Sequence, residues 1–274
     1  MTERRTAFFI SDRTGITAEM LGQSLLTQFD NIEFQRITLP FVDSLEDARE
    51  AVVKVNITAE ADGVRPIVFS TLVDDAVRKV IADMNALVLD LFEMFIVPLE
   101  AELGIHSSHS VGKSHSAANF NSYNQRIEAV NYTLSHDDGA TNRNLEDADI
   151  ILIGVSRSGK TPTCLYMALQ FGIKAANYPL IPEDLEKMKL PPALGPFRQK
   201  LYGLSIAPER LQQIRAERRP DSKYASIANC RFEIQAAEAV MHQGSIPYLD
   251  STTKSIEEIA TTILHEAQLV RRVY

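Results

Sequence analysis

Along the N-terminal part of the chain, short apolar runs alternate with stretches whose apolar positions recur at helical spacing. Ala7-Phe8-Phe9-Ile10 is a compact run of aromatic and β-favouring side chains, and the polar run Ser11-Asp12-Arg13-Thr14-Gly15 follows at once. The pair predicts a buried strand and then a loop. Met20, Leu21, Leu25 and Phe29 then recur at the spacing of a helix face, closed by Asp30-Asn31. Residues 33–39 alternate as a strand does and stop at Pro40, while 45–55 read as helix, 66–70 as strand, 74–84 as helix and 86–91 as a fourth strand. This βαβαβαβ order predicts a parallel sheet flanked by helices.

From about residue 104 to 144 the apolar density falls and His106, His109, His115, Asn119, Asn121 and Asn124 crowd in. Inside that stretch, 123–134 forms one amphipathic helix through Ile127, Val130 and Leu134, and Asp149-Ile150-Ile151-Leu152-Ile153-Gly154 opens a second strand-rich block. Two domains are therefore expected: an N-terminal α/β domain over 1–105 and a C-terminal α/β domain over 106–274.

Composition narrows the function classes. With 36 Asp plus Glu against 28 Lys plus Arg, the net charge of −8 argues against a general binder of nucleic acid or membrane surfaces, which needs a positive field. The two cysteines, Cys164 and Cys230, make neither a disulfide framework nor a CxxC pair, which fits a reducing cytoplasm. No apolar run reaches the length of a membrane span.

The strongest chemical signal is Gly154-Val155-Ser156-Arg157-Ser158-Gly159-Lys160-Thr161, which satisfies GxxxxGK[ST] with an apolar strand before it and helix-compatible 163–171 after it. Backbone N–H groups that turn inward around a phosphate need glycine where a side chain would block the approach, and the helix start adds its positive end. The pattern predicts a P-loop, kinase-like domain. Lys160 is expected at the terminal phosphates and the Thr161 hydroxyl on Mg²⁺. No apolar run ending in Asp follows Thr161, so the acidic partner is sought upstream, in His136-Asp137-Asp138-Gly139. Asp-Gly is also ordinary turn chemistry, and that reading stays open.

Downstream, Ile246-Pro247-Tyr248-Leu249-Asp250 reads as a short strand entering a Ser/Thr loop, with Ser255 and Glu258 forming a capping box for the last helix. Small nucleoside kinases often end this way, an analogy that would set the loop near a nucleotide base. The stretch 198–223 carries Arg198, Lys200, Arg210, Arg215, Arg218, Arg219 and Lys223 against three carboxylates. It serves either as a phosphate clamp, as a docking surface for an acidic partner, or as a solvated helix face. The loop histidines lack Cys or carboxylate partners at ligand spacing, so zinc is not expected, and Val111-Gly112-Lys113-Ser114 lacks the first glycine of a second phosphate loop. The 11–15 loop follows the first strand, where open α/β sheets tend to bind ligands.

Taken together, Ser11-Asp12-Arg13-Thr14-Gly15-Ile16-Thr17-Ala18-Glu19, the Arg126-Ile127-Glu128-Ala129 helix leading to His136-Asp137-Asp138-Gly139, and the Gly154–Thr161 loop continuing as Pro162-Thr163 resemble the bacterial phosphoenolpyruvate synthase regulatory proteins. Those are relatives of the plant pyruvate, phosphate dikinase regulatory protein. The likeness spans about 8–269, and Arg13 stands where many members carry a small residue. The resemblance implies a bifunctional enzyme, with ADP as the donor that phosphorylates a threonine of phosphoenolpyruvate synthase, switching it off. It also implies removal of that phosphate by inorganic phosphate, releasing pyrophosphate. On that likeness 154–161 cradle the ADP phosphates and Asp137 or Asp138 is the base or a magnesium ligand. Arg215, Arg218 and Arg219 are the expected second anion pocket or target-docking residues. Two other readings stay open from the residues alone: a small-molecule kinase using ATP on a nucleoside or metabolite, and a non-catalytic nucleotide sensor that docks another protein. The oligomeric state is not fixed by the sequence, and a homodimer is left open.

Overall fold

The computed structural model describes residues 3–108, 120–139 and 143–272. The chain divides into two compact units, Met1–Ser116 and Ala117–Tyr274.

In the first unit, β1 (Glu3–Ile10), β2 (Ile32–Leu39), β3 (Ile67–Ser70) and β4 (Leu87–Asp90) form one parallel sheet in the order β2-β1-β3-β4. Helices α1 (Ile16–Leu26), α2 (Leu45–Asp62), α3 (Asp75–Ala82) and α4 (Leu91–Leu103) connect and follow the strands. The end of β1 has no polar alternation because both of its faces are covered. Phe8 and Ile10 pack with Ala51, Val55, Val77 and Ile81 of α2 and α3, while Ala7 and Phe9 pack with Ala18 and Leu26 of α1 and Leu91 of α4. Helix α1 lies where the periodicity places it, but it buries the opposite stripe. Ala18, Gly22 and Leu26 face the sheet, and Met20, Leu25 and Phe29 are exposed. Small residues are needed there because a Cβ on Gly22 would lie 2.5 Å from the Phe9 ring.

The second unit opens with α5 (Phe120–Ser135), which buries Ala129 and Thr133 and leaves Ile127 and Leu134 exposed. Four parallel strands follow, β5 (Ile150–Gly154), β6 (Ala175–Pro179), β7 (Leu201–Ser205) and β8 (Tyr248–Asp250), in the order β6-β5-β7-β8. This repeats the strand order of the first sheet. Helices α6 (Lys160–Phe171) and α10 (Ile256–Glu266) cover one face, through Cys164, Met167, Ile259 and Ile263. On the other face α7 (Pro182–Lys187), α8 (Pro208–Arg218) and α9 (Ile227–Gly244) supply Leu185, Leu211, Ile234 and Met241. Strands β6 and β7 and helices α4, α7 and α9 are not foreseen from the pattern of the sequence. Among the described residues no helix is long and apolar enough to cross a membrane.

The strand order makes β5 the place where the chain turns both ways. It leads through α6 to β6 on one side, and β7 lies on the other, so the loops at its carboxyl end part there. Open parallel sheets bind ligands in the crevice at such a switch point.

Candidate functional site

Strand β5 ends at Gly154, and main chain 155–159 carries it into α6. Gly154 has φ 147, and a Cβ there would meet the Leu204 carbonyl oxygen of β7 at 2.3 Å, so no other residue fits without moving backbone. Gly154→Ala is therefore expected to destabilise the fold by more than about 2 kcal/mol, read as a lowered denaturant midpoint. An unchanged midpoint would show that the β5–β7 approach is looser than described. Gly159, at φ 95, starts α6 with no side-chain cap, which leaves the first amides of the helix open to an anion. Helix α10 does the opposite: Ser255 and Glu258 close its capping box as the sequence predicts.

Lys160, the first residue of α6, is 4% exposed and donates from Nζ to the Val155 carbonyl at 2.7 Å. Burial pushes its ammonium down to about 8, with Asp138 and Asp137 acting in the other direction. Ser158 is buried and its hydroxyl has no partner, an orphaned donor inside the loop. Ser251, in the loop after β8, reaches the Ser158 and Ser205 carbonyls at 2.9 Å each, so the last loop of the sheet is tied to the glycine loop.

The acidic pair sits beside the same helix start. Asp137-Asp138-Gly139 form one 3-10 turn after α5, with Asp138 at φ 51 and Gly139 at φ 67. Thr161 donates to Asp137 Oδ1 at 2.9 Å. Asn177, buried in β6, points its amide nitrogen at Asp137 Oδ1 (2.7 Å), the Thr161 hydroxyl (2.9 Å) and Asp138 Oδ1 (3.3 Å). Its main chain is also fixed, since Asn177 N–H donates to the His136 carbonyl. Sequence reasoning misses Asn177, although a buried amide in a strand of small residues is a signal: such a group is retained where it has polar partners. The two carboxylates differ. Asp137 is held by two donors, whereas Asp138 is exposed and has only the longest of the three contacts.

Arg215, Arg218 and Arg219 do not form one patch. Arg215 is fully buried and donates to the Ser156 carbonyl (3.0 Å), the Tyr224 carbonyl (3.1 Å) and Glu233 (2.6 Å), with its guanidinium over the Tyr224 ring. A docking role for Arg215 is thereby corrected, because its charge is spent inside the unit and it positions the 154–161 loop through Ser156. Arg218 and Arg219 are exposed at the end of α8. Arg215→Ala should cost about 3–5 kcal/mol, because it leaves the mostly buried Glu233 carboxylate uncompensated, while Arg218→Ala should change unfolding by less than about 0.5 kcal/mol. Equal effects in chemical denaturation would contradict the burial difference.

Among the described residues no group of three or more His, Cys, Asp or Glu is arranged to hold a metal ion. His106 is exposed beside Glu100, and His109, His115, Asn119 and the 111–114 stretch lie outside the described residues.

The fold and the site define a class: a parallel α/β protein whose polar groups converge where a glycine-bounded loop meets an uncapped helix, at a switch point of the sheet. Residues 7–264 match the kinase/pyrophosphorylase family, and the chain belongs to it. It is 59% identical over 274 residues, all of this chain and 99% of the relative, to a protein of Aromatoleum aromaticum named "Putative phosphoenolpyruvate synthase regulatory protein". Proteins of Burkholderia mallei and Burkholderia multivorans with the same name are each 58% identical over 269 residues, 98% of this chain and 99% of the relative.

Proposed function

We propose that the chain regulates phosphoenolpyruvate synthase in both directions, using ADP to phosphorylate a threonine of the synthase and inorganic phosphate to remove that group. The observation that carries the reading is the junction at the start of α6, where the open glycine loop, Lys160, Thr161, Asn177 and the Asp137–Asp138 pair meet. The family and the relatives' names supply the reaction class and the target. The N-terminal amides of α6 and the orphaned Ser158 hydroxyl suit phosphate oxygens. Thr161 and Asp137 offer the hard oxygen donors that Mg²⁺ takes alongside nucleotide phosphates, and one carboxylate beside one hydroxyl fits an ion that keeps waters and phosphates in its shell. Bound there, the ion would neutralise charge on the phosphates.

In the forward direction Asp138 takes the proton of the threonine hydroxyl. The hydroxyl oxygen forms a bond to the β-phosphorus of ADP, the bond from that phosphorus to the bridging oxygen breaks, and AMP leaves. Lys160 turns from the Val155 carbonyl to the phosphoryl oxygens and offsets their charge. In reverse, an oxygen of hydrogen phosphate attacks the phosphorus of phosphothreonine, the bond from that phosphorus to the threonine oxygen breaks, pyrophosphate forms, and the proton given up by the phosphate passes through Asp138 to the threonine oxygen. Exposed Arg218 and Arg219 are assigned to the acidic target or the second phosphate.

The lysine gives this reading a pH signature. Its ammonium is held near 8 in the free protein, and bound polyphosphate would raise it, so the complex holds more protons above that pH. ADP affinity should be flat below about pH 8 and fall by up to about tenfold per unit above it. Calorimetric titrations across that range check this, and a flat profile to about pH 9.5 would contradict a charged Lys160 as the phosphate ligand.

The activity itself is tested by incubating the purified chain with phosphoenolpyruvate synthase and either ADP or ATP. Transfer from ADP to a synthase threonine, reversed by inorganic phosphate with release of pyrophosphate, is the expected result. Turnover of a metabolite with ATP alone would replace this reading with a small-molecule kinase.

A further inference from the structure

The first unit repeats the arrangement of the second without any role assigned to it. Its sheet has its own switch point between β1 and β3, bracketed by the 11–15 loop and the loop at residues 71–74. Helix α1, which leaves the first of these loops, starts at Gly15 in the left-handed region (φ 81) with no side-chain cap, whereas Ser44, Asp74 and Asp90 cap α2, α3 and α4. A residue with a side chain is strained at that φ, and its Cβ would lie 2.9 Å from Thr38.

A second and independent feature points to a ligand. Asp12 is 7% exposed, and its Oδ2 is buried with no hydrogen-bond partner. The Val73 backbone N–H, in the facing loop, favours the ionised form of the carboxylate, so Asp12 lies close to both loops. Ser11, Ser70 and Thr71, at the ends of β1 and β3, are also buried, and exposed Arg13 and Asp43 are the charged neighbours of Asp12. Burial raises its pKa, as expected for an acceptor held away from water.

A buried carboxylate oxygen in the same loop as open helix amides and an arginine is contradictory for a fully ionised anion, because the acceptor repels what the amides attract. The contradiction disappears for an anion that still carries a proton. Its O–H donates to Asp12 while its other oxygens take the α1 amides and Arg13. Near neutral pH inorganic phosphate always keeps at least one proton, sulfate keeps none, and a phosphate monoester, with its second pKa at about 6, is mostly without one.

We propose that the 11–15 loop of the first unit is a binding site for inorganic hydrogen phosphate, with Asp12 as the acceptor that selects the protonated ion. The site is independent of whether the 154–161 loop holds a nucleotide. The test uses the full chain with Lys160→Ala, which weakens the second unit's loop, and titrates inorganic phosphate and then sulfate while following the Gly15, Ile16 and Thr17 amide signals by NMR. Phosphate should shift these amides saturably and bind at least about tenfold tighter than sulfate. Asp12→Asn should erase that preference by weakening phosphate roughly ten- to hundredfold, since the amide nitrogen can donate to either anion. Arg13→Ala, a change at an exposed side chain, should weaken both anions alike, which keeps the test decisive should Asp12→Asn fold poorly. Equal binding of phosphate and sulfate, or amides that do not respond to phosphate, would overturn the proposal. Phosphate binding that disappears with Lys160→Ala would also overturn it while leaving the proposed reaction intact.

Discussion

Lys160→Ala is expected to remove transfer from ADP and phosphorolysis together, each by on the order of a thousandfold. The reason is geometric. Only one glycine loop among the described residues leads into an uncapped helix beside a carboxylate pair, and Lys160 is the first residue of that helix. A single cradle serving both directions must lose both when its cation is removed. Rates measured with ADP plus unmodified synthase, and with phosphate plus phosphorylated synthase, make the comparison. Phosphorolysis that survived at its full rate would require a second phosphoryl-transfer centre. The fold should persist, because among the described residues the lysine side chain hydrogen-bonds only the Val155 carbonyl, and its burial already disfavours the charge.

The second large effect separates the two carboxylates, which the sequence leaves undivided. Asp138→Asn should slow transfer at least about a hundredfold while ADP affinity changes little, as expected when a general base is lost. Asp137→Asn should instead weaken magnesium-dependent ADP binding, because it disturbs the Thr161 and Asn177 hydrogen bonds at the helix start. The assignment follows from partners: Asp137 is pinned by two donors, and Asp138 is exposed with one long contact. Binding and single-turnover measurements on both variants distinguish the roles. Unchanged transfer by Asp138→Asn would exclude it as the base. Asn177→Ala should resemble Asp137→Asn more than Asp138→Asn, because it loosens the same triangle.

Much of this arrangement is legible in the residues because it is local. Ile150-Ile151-Leu152-Ile153 is a strand buried on both faces, and the glycines after it announce a turn that no β-carbon tolerates. What is not legible depends on partners far along the chain. Arg215 reads as one more charge on a basic helix, but its burial rests on Glu233 of α9 and on the Ser156 carbonyl, neither of which is near it in sequence. Strand β7 hides because Gly203 interrupts its apolar run, although a Cβ there would meet Met241 and Tyr248. Asn177 hides in a strand of alanines for the same kind of reason, its value being set by a turn that precedes it by about forty residues. Helix α1 shows the limit of periodicity: the larger apolar residues mark a helix correctly, while the stripe that packs is chosen by the space beneath the Phe9 and Phe69 rings.

The most direct measurement is a crystal structure of the full chain grown with ADP and Mg²⁺. The β-phosphate should lie against the backbone amides of 155–160, with Lys160 released from the Val155 carbonyl and Thr161 and Asp137 turned toward the metal. Nucleotide phosphates held elsewhere, with Lys160 still bonded to Val155, would contradict the assignment of this loop as the site of phosphoryl transfer.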